Sequence, residues 1–154
     1  VSPIEILGAK GVKSVNTFKS CPKCQAIFAE GKWITNSQTR KPKRAREEKI
    51  LCPGCERIEK RRVDGVVYLK GAFLKEHSQE ALNLINNVAE RKRSKNIAAR
   101  IFSIEQNYES IIVQTTEKTL AERIGKEFEK AFHGELNIKW LEDAEFARVH
   151  WERN

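Results

Sequence analysis

All four cysteines of this chain stand in two pairs, Cys21-Pro22-Lys23-Cys24 and Cys52-Pro53-Gly54-Cys55. Within each pair the i, i+3 spacing predicts a tight turn that presents two thiolates. Pro22, Pro53 and Gly54 are residues that such turns favour. Two such turns facing each other form a four-sulfur cage, which Zn²⁺ fills at about 2.3 Å per ligand. Cys21, Cys24, Cys52 and Cys55 are therefore the expected ligands of one structural zinc ion. A cage of this kind leaves no coordination position for a substrate, so catalytic zinc is not expected.

Iron competes for the same four thiolates. A rubredoxin also uses two such pairs at a similar separation. Rubredoxin pairs usually carry glycine directly after the second cysteine, whereas Gln25 and Glu56 stand there in this chain. Between the pairs this chain has a basic stretch broken by Pro42, where a rubredoxin has an aromatic-filled core. A long, charge-balanced segment also follows the second pair. A rubredoxin-like electron carrier is thus the alternative to zinc.

No other residue set offers reaction chemistry. His77, His133 and His150 are far apart in sequence and form no ligand spacing with one another. No glycine-rich phosphate loop occurs, and Glu122, Glu127 and Glu129 alternate with Lys126 and Lys130 as a solvated helix face does. Neither an enzyme nor a small-molecule substrate is expected. No stretch reaches the ~18 consecutive apolar residues of a membrane helix, so no membrane partner is expected. Val1–Leu7 has too short an apolar run, interrupted by Glu5, for a secretory signal. Paired cysteines in that setting read as metal ligands in a reducing compartment, and a cytoplasmic location is expected.

The formal net charge of +8 is unevenly spread. Residues 1–65 hold 15 Lys/Arg against 7 Asp/Glu, and residues 66–154 hold 14 of each. The whole excess lies on the cysteine-bearing part, which predicts a polyanionic partner there, most simply nucleic acid. The stretch Asn36–Arg46 carries Arg40, Lys41, Lys43, Arg44 and Arg46 without one acid, and Lys49 follows. Arg57, Lys60, Arg61 and Arg62 extend the positive charge over a short helix expected from Glu56 to Arg62. Such cations suit phosphates, which carry affinity and little sequence information. Phe18, Phe28 and Trp33 are the aromatics of the basic part, and Trp33 beside Lys32 could stack on an exposed base. Trp33 reads first as the apolar anchor of a small metal module. No helix-turn-helix or two-Cys, two-His finger occurs. Structured RNA is the expected partner, and a DNA- or protein-binding adaptor is the further alternative.

These side chains need elements to hold them. Residues 1–20, rich in Gly, Ser and Lys, read as a weakly ordered basic arm. Residues 21–62 read as a four-cysteine zinc ribbon: a knuckle, a short strand Ala26–Ala29, a resumption at Gly31–Ile34, the basic finger and a second knuckle. Residues 63–154 read as an α+β domain in the order βαββαββ. Its strands are expected at 66–69, 101–104, 111–116, 136–140 and 147–151. One helix runs from about His77 to Arg93, with Ala81, Leu82, Ile85, Val88 and Ala89 on one side. Its basic end (Arg91, Lys92, Arg93 and Lys95) complements the helix dipole, a reading preferred to a second binding patch. The other helix has Thr116 as its expected N-cap, an apolar stripe of Leu120, Ile124, Phe128, Ala131 and Phe132, and Gly134 past its end. The expected architecture is a ferredoxin-like antiparallel sheet with the two helices on one face, or equally an α-β-β unit used twice after a leading strand.

Three strings carry a resemblance. Cys21-Pro-Lys-Cys24, then Gly31-Lys-Trp33, then Leu51-Cys-Pro-Gly-Cys55 resemble small prokaryotic zinc-ribbon proteins. These are in turn similar to the archaeal and eukaryotic adaptor family of large-ribosomal-subunit nuclear export. Ile111–Gly125 is similar to an adaptor segment in which a strand leads into a helix. The resemblance runs from about Cys21 to the C-terminus. It implies a zinc-stabilised protein that docks on the large ribosomal subunit and acts in its maturation or quality control. The adaptor has more zinc-binding cysteines, further domains and a tail with export signals. Only the ligand role of the four cysteines carries over, and no export role is expected.

Overall fold

The computed structural model describes residues 17–29, 31–35, 45–141, 143 and 145–154. The chain divides into two compact units, Val1–Glu56 and Arg57–Asn154. Among the described residues the first is built from strands and the start of one helix and the second from strands and helices, so the protein is α+β.

Among its described residues the first unit holds four short strands: β1 (Thr17–Ser20), β2 (Ile27–Ala29), β3 (Lys32–Ile34) and β4 (Arg46–Lys49). Their spatial order is β3-β2-β1-β4. The neighbours β1–β2 and β2–β3 are antiparallel, whereas β1 and β4 run parallel. Thr17–Ser20, expected within the weakly ordered arm, is instead a strand, because Phe18 and Ser20 alternate inward and are buried while Lys19 stays outside. The Lys19 ammonium lies 5.4 Å from the Phe28 ring centroid. Arg46–Lys49, expected within the basic finger, is likewise a strand. Its apolar-poor run Arg-Glu-Glu-Lys gives no periodic signal, and its pairing with β1 comes from residues some thirty positions away. Residues 1–16 of the expected arm lie outside the described residues.

Helix α1 (Pro53–Glu59) contains the boundary between the two units. In the second unit β5 (Gly65–Lys70), α2 (Phe73–Lys95), β6 (Ile101–Gln106), β7 (Ser110–Thr115), α3 (Lys118–Phe132), β8 (Glu135–Leu141) and β9 (Phe146–Glu152) follow in sequence. The sheet order is β6-β7-β5-β9-β8. It is a mixed sheet, which corrects the antiparallel expectation: β5 and β9 are parallel, and the other neighbours are antiparallel. Burial follows the arrangement. Ala147, Val149 and Trp151 of β9 are almost fully buried, whereas β8 has no fully buried residue. Although each arm of the β8–β9 hairpin has four apolar residues of seven, β9 takes the inner place beside β5 and β8 becomes the edge.

Register follows from two apolar rows across the three central strands. Trp151, Leu69 and Ile111 form one, and Val149, Val67 and Val113 the other. A one-residue slip would turn both rows to the opposite face. Leu74, Ala81, Ile85 and Val88 of α2 and Leu120, Ala121, Ile124 and Phe128 of α3 complete the same core, so both helices cover one face of the sheet. Helix α3 approaches closely because small residues stand where it meets the strands. A Cβ added at Gly125 would lie 2.5 Å from Val149 Cγ1, and one at Gly65 would lie 2.6 Å from Ala121 Cβ.

Two helix starts differ from expectation. Helix α2 begins at Phe73, and its backbone breaks at His77 (φ −121°, ψ 23°), the position expected to open the regular helix. The His77 imidazole lies flat on the Phe73 ring, and its Nδ1 donates to the Phe73 carbonyl at 3.0 Å. Thr116 does not cap α3. It is buried, its hydroxyl donates to the Ala98 carbonyl and accepts from the Arg100 N–H at 2.8 Å, and extended Glu117 takes the cap position.

Candidate metal centre

Strands β1 and β4 bring the two cysteine pairs together. They run in the same direction with Ser20 beside Lys49, and the Ile50 N–H donates to the Ser20 carbonyl at 2.9 Å. Both chains therefore leave the sheet at the same end, one into Cys21 and the other into Cys52. The first pair closes on a turn in which the Cys21 N–H donates to the Ala26 carbonyl at 2.8 Å and the Gln25 N–H to the Cys21 carbonyl at 2.9 Å. Gln25 has φ 65°, the left-handed region that glycine adopts most readily. That is the position where glycine is usual in rubredoxin pairs. The second pair is held differently from the first. It lies on the first turn of α1, where the Glu56 N–H donates to the Cys52 carbonyl at 2.9 Å and the Cys55 N–H to Cys52 Sγ at 3.4 Å.

The sulfurs of Cys21, Cys24, Cys52 and Cys55 all lie within 4.8 Å of one another. Cys24 and Cys52 are 3.6 Å apart, far beyond the ~2.05 Å of a disulfide, and none of the four is disulfide-bonded. Four ligands at about 2.3 Å around a tetrahedral ion would stand roughly 3.8 Å from each other. The donor set and its spacing therefore fit one tetrahedral metal ion.

Electrostatics point the same way. Burial by itself would raise the Cys21 thiol, but the backbone N–H groups of Cys24, Cys52 and Lys23 aim at its sulfur and bring it down to about 6. Burial pushes the Cys52 thiol up to about 12; the Cys55 N–H opposes this, and the sulfurs of Cys24 and Cys55 add to it. Four adjoining sulfurs cannot all ionise against one another, and a divalent cation removes that conflict.

Comparison of the chain with protein-family models found no match, and comparison with curated protein sequences found none either. The reading of the chain therefore rests on its own residues.

The expected RNA-contacting side chains fall into three groups. Arg40, Lys41, Lys43 and Arg44 lie outside the described residues. Lys32, Arg46, Lys49, Arg61 and Arg62 are exposed, with β4 interleaving Glu47 and Glu48 among its cations. Arg62 is partly neutralised by Asp64 at 3.3 Å. The third group is withdrawn from ready contact. Trp33 is half-buried with its ring edge-on to Phe28, centroids 5.4 Å apart, and Phe18 is buried in the sheet. Arg57 is a structural residue of the second unit. Its guanidinium donates to the Thr116 carbonyl at 2.8 Å and pairs with Glu117 at 3.0 Å. Arg57→Ala is accordingly expected to lower the stability of the second unit by about 1–3 kcal/mol, as removal of a charge-assisted hydrogen bond does. Denaturant unfolding would show this, with the salt dependence of RNA binding unchanged. Sequence reasoning could not separate Arg57 from Arg61 and Arg62, because its two nearest partners, Thr116 and Glu117, lie about sixty residues away.

Among the described residues no helix is long and apolar enough to cross a membrane.

Proposed function

We propose that this is a non-enzymatic zinc-binding protein that binds structured RNA through its cysteine-bearing part. The single observation that carries the reading is the closed four-sulfur cage, formed within the part of the chain that holds the entire positive excess. Four thiolates in a tetrahedral set favour Zn²⁺, which has no redox role and serves as a staple for a zinc ribbon. The cage takes no part in binding itself. It fixes the strands that display Lys32, Arg46 and Lys49. Cations on a stapled scaffold bind phosphates without the ordering cost of a free basic tail. Large-subunit ribosomal RNA, met in the cytoplasm during subunit maturation or quality control, is the target that the sequence resemblance implies.

Sedimentation of tagged protein through a sucrose gradient tests the target. Co-migration with the large ribosomal subunit at low salt, abolished at high salt, is the expected result. A protein that stays at the top at both salts would remove the ribosomal target. The residues are tested by replacing Lys41, Lys43, Arg44 and Arg46 with Ala and titrating a ribosomal RNA fragment at several salt concentrations. Affinity should fall, and the salt slope should become shallower by about 0.9 for each phosphate that the variant no longer neutralises. Unchanged affinity and slope would take these residues out of the mechanism. Metal analysis that found iron in place of zinc would turn the reading to electron transfer.

A further inference from the structure

The acids and bases of residues 66–154 balance in number and not in place. Between the C-terminal half of α2 and the facing side of α3 lies a groove of about 340 Å³. Arg91, Lys92 and Lys95 line it from α2, and Arg123 and Lys130 line it from α3, with Glu127 as the single acid of the lining. Glu127 is shared: Arg91 approaches it at 3.5 Å and Arg123 at 3.9 Å. Lys92, Lys95 and Lys130 have no acid partner among the described residues.

The helix dipole accounts for basic residues at the end of α2. It offers no reason for Arg123, which stands in the first half of α3. Two helices thus converge their cations on one concavity, where like charges repel in the absence of an anion. Arg91 and Lys95 are one turn apart, about 6 Å along the axis, and Arg123 and Lys130 about 10 Å apart. The array therefore extends over more than one anionic group. Val88 is the sole apolar residue of the lining. No aromatic is present to stack a base, and no apolar anchor of the kind that dominates protein interfaces.

We propose that this groove binds the phosphate backbone of an RNA helix, without regard to base sequence. RNA as the occupant rests on the function proposed above, whereas the convergence of cations does not. The groove would add a second RNA-binding surface, on the second unit, to the one assigned to the cysteine-bearing part. Two linked surfaces on one RNA raise affinity through effective concentration with no change at either site.

The test uses the full zinc-loaded chain and a short RNA duplex of arbitrary sequence. A groove variant combines Lys92→Gln, Lys95→Gln and Lys130→Gln, replacements that suit a helix surface. A control variant removes the same charge from the other face of the sheet, with Lys70→Gln, Lys139→Gln and Arg148→Gln. The groove variant is expected to bind roughly tenfold more weakly, with a salt slope shallower by about 0.9 per phosphate left unneutralised. The control should change little. Amide shifts of the unmodified protein on adding the duplex should include residues 91–95 and 123–130, a readout that needs no variant to fold. Equal weakening of both variants would overturn the proposal in favour of general charge attraction. A groove variant that binds like the unmodified protein, while the Lys41/Lys43/Arg44/Arg46 variant fails to bind, overturns the groove and keeps the proposed function. The opposite pattern keeps the groove and removes the cysteine-bearing part as the RNA-binding surface. No duplex binding at any salt, with an acidic polypeptide bound in the groove, overturns RNA as the occupant.

Discussion

Stripping the metal from the protein with a chelator is expected to unfold the cysteine-bearing unit and leave the second unit folded. The described residues of the first unit offer little else to hold it. Among its described residues the strands are three or four residues long, and the buried apolar side chains other than cysteine are Phe18, Ala26 and Ile27. Burial of three such side chains stabilises by only about 5 kcal/mol, against an ordering entropy of roughly 1–2 kcal/mol for every residue fixed. Metal binding to a four-cysteine site is worth about 10–16 kcal/mol at neutral pH, and in a module of this size that free energy is the folding free energy. Hydrogen exchange checks the expectation directly. The amides of Cys21, Gln25, Ile50 and Glu56, bonded in the turns that form the cage, should lose protection after chelation. Those of Val67, Val113 and Val149, in the central strands of the other sheet, should keep it. Cys52→Ser should act as chelation does, since it removes a ligand and disturbs the start of α1. Loss of protection along the whole chain would mean that the two units unfold as one.

Trp151→Ala is expected to be the most damaging single change in the second unit, at about 3–5 kcal/mol. The ring is 1% exposed. It meets Phe128 nearly edge-on at 5.1 Å and Phe73 at 6.1 Å, and it lies beside Phe132 at 6.5 Å. It is thus the centre of an aromatic cluster that ties β9 to both helices. Its Nε1 also donates to the His133 carbonyl at 2.6 Å, at the left-handed residue that ends α3. Truncation leaves a cavity and an unsatisfied carbonyl together. Trp151→Phe should keep most of the packing and cost about 1–3 kcal/mol for the missing hydrogen bond and reduced volume. Urea unfolding followed by helical circular dichroism separates the two variants. A loss below about 1 kcal/mol for the alanine variant would show that the cluster does not depend on this ring.

The elements that the sequence made legible are those whose signal is local. The alternation in Leu136–Trp140 and Ala147–Trp151, and the stripe from Leu120 to Phe132, mark β8, β9 and α3 because neighbours on one face are two, three or four residues apart. β1 and β4 carried no such signal. Phe18 is the one large apolar residue of β1, β4 has none, and both are strands because each pairs with the other across nearly thirty residues. Thr116 fitted an N-cap by type and position, yet its hydroxyl is drawn to Ala98 and Arg100 on a segment that only the folded sheet brings near. Arg57 read as one of a run of surface cations for the same reason.

By itself the sequence determined the four cysteines that could hold a metal ion, the α+β class and which faces of the helices are apolar. Each of these depends on the spacing of residues within a turn or two. Tertiary structure alone decided that two parallel strands deliver the cysteine pairs to one point. It also placed β9 inside β8, making the sheet mixed, and drew the cations of α2 and α3 into one groove within a segment of zero net charge. Charge and apolar content are sums along the chain, whereas a binding surface depends on which distant residues the packing of helices on strands sets side by side.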